Sequence, residues 1–252
     1  VLFTDRFVTG VQEHWWGYYP KWGVYSIPFF FLFFGYMAAA FSAFFLSYRR
    51  ALSPIKRNQV YYVQIACLIG YIGSVDFFPV FGYSVYPFGY IPIFLLVSVI
   101  TFTIFRYRLL DISIVINKGL AYSLLLGAIF VPVYLAVFVS QRATFYSIPP
   151  LLAGTLTFAC GLWVVLRNVR AVTHTTFGLV CLGISFWLFG TFMLYSTTDE
   201  KEALFWQKFV YVGVVFIPAF FYHFCVSFRQ RQVGGKLILA TYIVSTLLLL
   251  LI

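Results

Sequence analysis

The chain has 252 residues, of which 62% are hydrophobic and 10% charged, with a mean hydropathy of +0.93. A soluble domain carries about 25% charged residues, so a soluble globular fold is excluded. The formal charge of +10 could suggest nucleic acid, but in so apolar a chain loop lysines and arginines more simply set membrane orientation.

A bilayer core of about 30 Å needs about 20 mostly apolar residues per helix, and the sequence supplies many such runs. The short alternating segments of a β-barrel are absent. The expected fold class is therefore all-α: a polytopic transmembrane helical bundle, read as one membrane domain over 1–252. Eight spans are predicted, in chain order Tyr25–Tyr48, Val60–Gly82, Tyr86–Phe105, Gly119–Ser140, Ile148–Leu166, Thr175–Tyr195, Ala203–Phe228 and Leu237–Ile252. Pro28, Pro79, Pro92, Pro132 and Pro218 interrupt them. Membrane helices tolerate proline because neighbours satisfy the freed carbonyls, so kinked helices are expected.

Loop charges alternate. Arg49, Arg50, Lys56, Arg57, Arg106, Arg108, Lys118, Arg167, Arg170, Arg229, Arg231 and Lys236 fall on one side. Arg6, Lys21, Arg142, Lys201 and Lys208 fall on the other, with Asp5, Glu13, Asp199, Glu200 and Glu202. The positive-inside rule places the first set in the cytoplasm and both numbered ends outside it. The expected location is the bacterial inner (cytoplasmic) membrane. Val1 is not read as a natural start, and no signal peptide is recognised. Leu237–Ile252 is short for a span, and joining Ile252 to Val1-Leu2-Phe3 would give a full-length one.

Asp76 is the only acid inside an apolar run, and an intramembrane ionisable group is a functional candidate. At about 1.5 Å per residue it lies about 24 Å from Val60, near the outer interface. The plain reading is a helix-end cap; the functional one is a ligand or proton site. Trp15, Trp16, Tyr19 and Trp22, with Tyr86, form an aromatic-rich outer segment. Such residues commonly anchor the interface, and here they are also candidates for binding an apolar signal. Arg106, Arg108 and Asp111, in the stretch RYRLLDI, are expected as interface anchors and as a signal-output hinge, with Arg108 and Asp111 spaced to pair at i,i+3.

Cys67, Cys160, Cys181 and Cys225 lie in apolar runs without a CxxC pair and are read as packing residues, with no metal site. His223 is read as a polar interhelical contact, since no facing histidine suits a haem. No GxSxG, Walker A, HExxH or phosphoacceptor motif occurs, so the chain is not read as an enzyme. No cofactor is identified, although the 23% aromatic content is compatible with a bound lipid, quinone or pigment.

Residues 148–228 resemble the opening of the N-terminal seven-transmembrane region of bacterial histidine kinases. The resemblance rests on Val165-Leu166-Arg167-Asn168, on Phe186-Trp187-Leu188-Phe189-Gly190, on Ala203-Leu204-Phe205-Trp206 and on Ile217-Pro218-Ala219-Phe220-Phe221-Tyr222-His223-Phe224. Residues 17–112 look like the second half of that region, through their 17–23 lead, Tyr48-Arg49-Arg50, Asp76-Phe77-Phe78-Pro79-Val80, Tyr86-Pro87-Phe88-Gly89 and Arg106–Ile112. Residues 113–140 are an additional span, and 148–252 resemble the first half, so the numbered order is permuted. The resemblance implies a non-catalytic sensory input domain that senses at the outer face and relays through cytoplasmic loops to an output protein. A kinase or diguanylate cyclase is the usual attachment. The alternative is an accessory structural subunit of a larger energy-transducing or pigment complex. Expected partners are membrane lipids and either other membrane subunits or a cytoplasmic output protein, not nucleic acid. A transporter is the weakest reading, since Asp76 and the prolines alone hint at it.

Overall fold

The computed structural model describes residues 6–49, 53–106, 145–228 and 235–252. A two-stranded antiparallel hairpin, β1 (Val8–His14) and β2 (Gly17–Trp22), precedes the helices. Then come α1 (Ser26–Arg49), α2 (Pro54–Tyr71) with a 3₁₀ continuation (Ile72–Phe81), and α3 (Tyr90–Arg106). After these stand α4 (Ile148–Arg167), α5 (Val172–Ser196), α6 (Glu200–Val214), α7 (Ile217–Phe228) and α8 (Gly235–Leu250). Five segments are long and apolar enough to cross a membrane: α1, α2 with its 3₁₀ end, α4, α5, and α6 with α7. The chain is a multi-pass helical membrane protein. The predicted span Gly119–Ser140 lies outside the described residues, as do Arg108 and Asp111.

Helix starts differ from the hydropathy boundaries because polar caps sit outside the apolar runs. Ser53 accepts the Lys56 N–H at 3.2 Å with Pro54 in the first turn, so α2 begins six residues before Val60. Asp199 accepts the Glu202 N–H at 2.9 Å and starts α6 at Glu200. Lys208, grouped above with loop charges, consequently lies two turns inside α6.

Proline shapes the two interrupted spans. Pro218 cannot donate to the carbonyl four residues earlier, and the predicted Ala203–Phe228 span divides into α6 and α7. The carbonyl of Val215, at the break, accepts the Ser245 hydroxyl of α8 at 3.0 Å, the substitution of a neighbour's donor that membrane helices use. Pro79 falls in the ten-residue 3₁₀ end of the second span. That is long for 3₁₀ geometry, and hairpin side chains bond its carbonyls: the Gln12 amide donates to Pro79 O at 3.1 Å and the Tyr19 hydroxyl to Asp76 O.

Close helix contact depends on missing side chains. A Cβ at Gly161 of α4 would lie 2.4 Å from the Cβ of Cys181 in α5, and one at Gly213 of α6 would lie 2.6 Å from the Gly183 carbonyl of α5. In lipid, association rests on such close packing because apolar burial gives little drive. The main core runs through α1, α2, α3, α4, α5 and α7, including Phe44, Val63, Val97, Val164, Phe177 and Phe224.

The hairpin lies before the first predicted span, in the aromatic outer segment for which no regular element is predicted. Its strands pair Gln12 with Tyr19 and His14 with Gly17 around Trp15-Trp16. Gly17 has φ +138°, and a Cβ there would lie 2.9 Å from the Tyr195 Cα, so glycine is required. An isolated two-stranded hairpin is marginal in water. This one is held by burying Phe7, Val8, Val11 and Trp16 against the ends of the helices.

Candidate functional site

The hairpin end of the bundle gathers the loops that the charge pattern assigned to one side. Tyr18 donates to Thr198 O at 3.3 Å, and Tyr86 to Tyr146 O at 2.9 Å. Trp15 lies edge-on to Tyr146 at 5.0 Å. Ile252 is buried in one cluster with Phe7, Val8, Phe29 and Tyr211, which places the end of α8 here too.

Beneath the hairpin lies a cavity of about 140 Å³ reaching into the middle of the bundle. Tyr19 and Trp22 of the hairpin and Asp76 of the 3₁₀ segment line its hairpin end. Its walls come from α1, α2, α3, α5, α6 and α7, so both parts of the resemblance contribute. The sequence candidates therefore divide. Asp76, Tyr19 and Trp22 line the cavity, while Trp15, Trp16 and Tyr86 form an adjoining aromatic cluster. Trp15 is 60% exposed, as an interface anchor would be, but Trp16 is 1% exposed and packs with Val11, Leu194, Tyr195 and Ala203. Arg106 ends α3 at the opposite, basic end; its output role, with Arg108 and Asp111, falls on side chains outside the described residues.

Asp76 combines the two roles weighed for it. Its Oδ1 accepts the Gly89 N–H at 2.7 Å, one turn before the Ile93 N–H that bonds Gly89 O. The carboxylate thus caps the start of α3, where the helix dipole favours an anion. A Cβ on Gly89 would stand 2.4 Å from Oδ2, so the cap needs glycine. Asp76 is partly buried and lines the cavity.

Trp22 Nε1 donates to the Tyr211 hydroxyl at 2.5 Å and ties β2 to α6. Burial raises the Tyr19 hydroxyl well above its usual pKa, with the Asp76 charge adding to it. Burial likewise raises Tyr86, followed by its hydrogen bond with Tyr90. His14 stacks on Trp16 at 4.4 Å and 7°, and burial lowers its pKa from the usual 6.5. His14 Nε2 and Trp16 Nε1 have no hydrogen-bond partner among the described residues.

Gln207, neither ionisable nor aromatic, is not among the sequence candidates. It is 3% exposed, lines the cavity from α6, and its Oε1 has no hydrogen-bond partner among the described residues. Its signal in the sequence is a neutral amide within Phe205-Trp206-Gln207, on a helix whose charges cluster in the first turn and at Lys208. Far from the cavity entrance, His223 Nδ1 and the Tyr242 hydroxyl lie 2.9 Å apart and link α7 to α8 as a polar interhelical contact.

The fold and this site define a multi-pass helical membrane protein with a cavity between its helices. Residues 149–252 match the family model described as the N-terminal 7TM region of histidine kinase, so the resemblance carried by the motifs in 148–228 holds. That match takes in α4 to α8, about two fifths of the chain. No curated protein and no solved structure matches the chain.

Proposed function

We propose that this protein is a non-catalytic sensory input domain, taking its signal at the hairpin end and passing it through the basic loops to a cytoplasmic output protein. The observation that carries this reading is the cavity walled by six helices, with the hairpin at one end. A molecule entering there touches α1, which ends in Arg49, and α5, which starts just after Arg170, so a small change in packing is felt at the basic face. On this reading the hairpin end faces outward, as the loop charges require. Residues 17–112 supply the second half of the sensory region and 149–252 the first.

Photo-crosslinking from positions 53 and 170 in native membranes tests the proposal. Capture of a protein bearing a kinase or cyclase domain is expected. Stoichiometric capture of other multi-pass subunits, with no such domain, refutes it and supports an accessory subunit instead.

A further inference from the structure

Two acceptors in the cavity wall have spare capacity. Asp76 gives one carboxylate oxygen to Gly89, although a carboxylate offers about four acceptor positions. Gln207 Oε1 is buried without a partner among the described residues. Three donors of the wall are engaged elsewhere: Tyr19 bonds Asp76 O, Trp22 bonds Tyr211, and the Thr191 hydroxyl bonds Trp187 O at 2.9 Å. No lysine, arginine or histidine lines the cavity among the described residues. A carboxylate withdrawn from water without a counter-charge is costly, and so is an unpaired amide oxygen. The remaining wall is aromatic and aliphatic, with Trp22, Tyr90, Trp187 and Tyr195 among its rings. Ring faces attract cations, most strongly where water is excluded. The volume of about 140 Å³ is close to the roughly 150 Å³ of a cavity that holds benzene.

We propose that this cavity is a binding site for a small hydrophobic ammonium ion, about one aromatic ring in bulk. Its N–H donors meet Asp76 and Gln207, and its apolar body lies against the aromatic wall. The proposal rests on the input-domain reading for its biological meaning, since it names the signal's chemical class. Binding itself is a property of the purified chain.

The test is calorimetric titration of the full chain in lipid nanodiscs with 2-phenylethylammonium, and with 2-phenylethanol as the uncharged control. Saturable binding of the amine is expected, with the alcohol at least about tenfold weaker because it brings no charge to the carboxylate. Asp76→Asn keeps an acceptor for the Gly89 N–H, so the cap is retained, and it is expected to weaken the amine by about tenfold or more. Gln207→Leu tests the second acceptor with a side chain of similar size, and a smaller weakening is expected. Absence of saturable amine binding overturns the proposal, as does equal affinity for the alcohol or unchanged affinity in Asp76→Asn. If Asp76→Asn does not fold, the amine-to-alcohol ratio in the unaltered chain decides. Amine binding with no output protein captured from the basic loops would sink the input-domain reading and leave this site standing. Capture of an output protein without amine binding would do the reverse.

Discussion

Gly89→Ala probes the joint between the hairpin end and α3. The new methyl would stand 2.4 Å from Asp76 Oδ2 and 2.6 Å from Oδ1, where ordinary contact needs about 3.4 Å, so the carboxylate must retreat by about 1 Å. The Gly89 N–H bond, 2.7 Å long, is then lost. A hydrogen bond to a charged group contributes about 1.5–3 kcal/mol, and replacing glycine with alanine returns about 0.5–1 kcal/mol of backbone entropy. A net destabilisation of about 1–2 kcal/mol is expected by steric trapping in bicelles. The same alanine in an Asp76→Ala background meets no carboxylate and should be neutral or mildly stabilising. The double-mutant cycle then gives a coupling of about 1.5–3 kcal/mol. Additive costs would refute the claim that Asp76 caps α3 through Gly89.

Other consequences are equally direct. Trp22→Phe keeps the ring but removes the donor to Tyr211; a loss of about 0.5–1.5 kcal/mol is expected by the same trapping assay. Gly213→Leu forces a side chain toward the Gly183 carbonyl and should cost about 1–3 kcal/mol, as overpacking does. Because His14 is held below 6.5, the native hairpin binds its proton less readily than the unfolded chain. Hairpin stability should be complete above pH 6.5, decline as pH falls from there through the lowered folded value, and level off below it. Hydrogen exchange of the β1 and β2 amides should follow that course, and His14→Phe should flatten it. In oriented vesicles, single cysteines at positions 15 and 170, in a background without the native cysteines, should label from opposite sides.

The sequence was most legible where bilayer physics leaves least choice. Apolar runs located helices at all seven predicted spans that fall on described residues, five of them long and apolar enough to cross a membrane, because a membrane helix must satisfy its own backbone. Boundaries were less legible, since Ser53 and Asp199 cap helices from outside the apolar runs. The hairpin was hidden because Trp15-Trp16 is not a familiar turn pair and its aromatics read equally well as interface anchors. Its stability comes from packing on helix ends distant in sequence. Asp76 stood out as the lone acid in an apolar run. Gln207 did not, because an unpartnered amide becomes visible only when its surroundings are known.

If the protein is a sensory input domain, filling the cavity moves the basic ends of the helices that wall it. Spin labels at positions 49 and 172, in the cavity-lining helices α1 and α5, report that separation by double electron–electron resonance. Val214→Phe adds a ring at a cavity-lining position without any ligand. A shifted distance distribution relative to the unaltered chain in the same nanodiscs is predicted. Superimposable distributions, from folded protein with the cavity filled, would contradict the account.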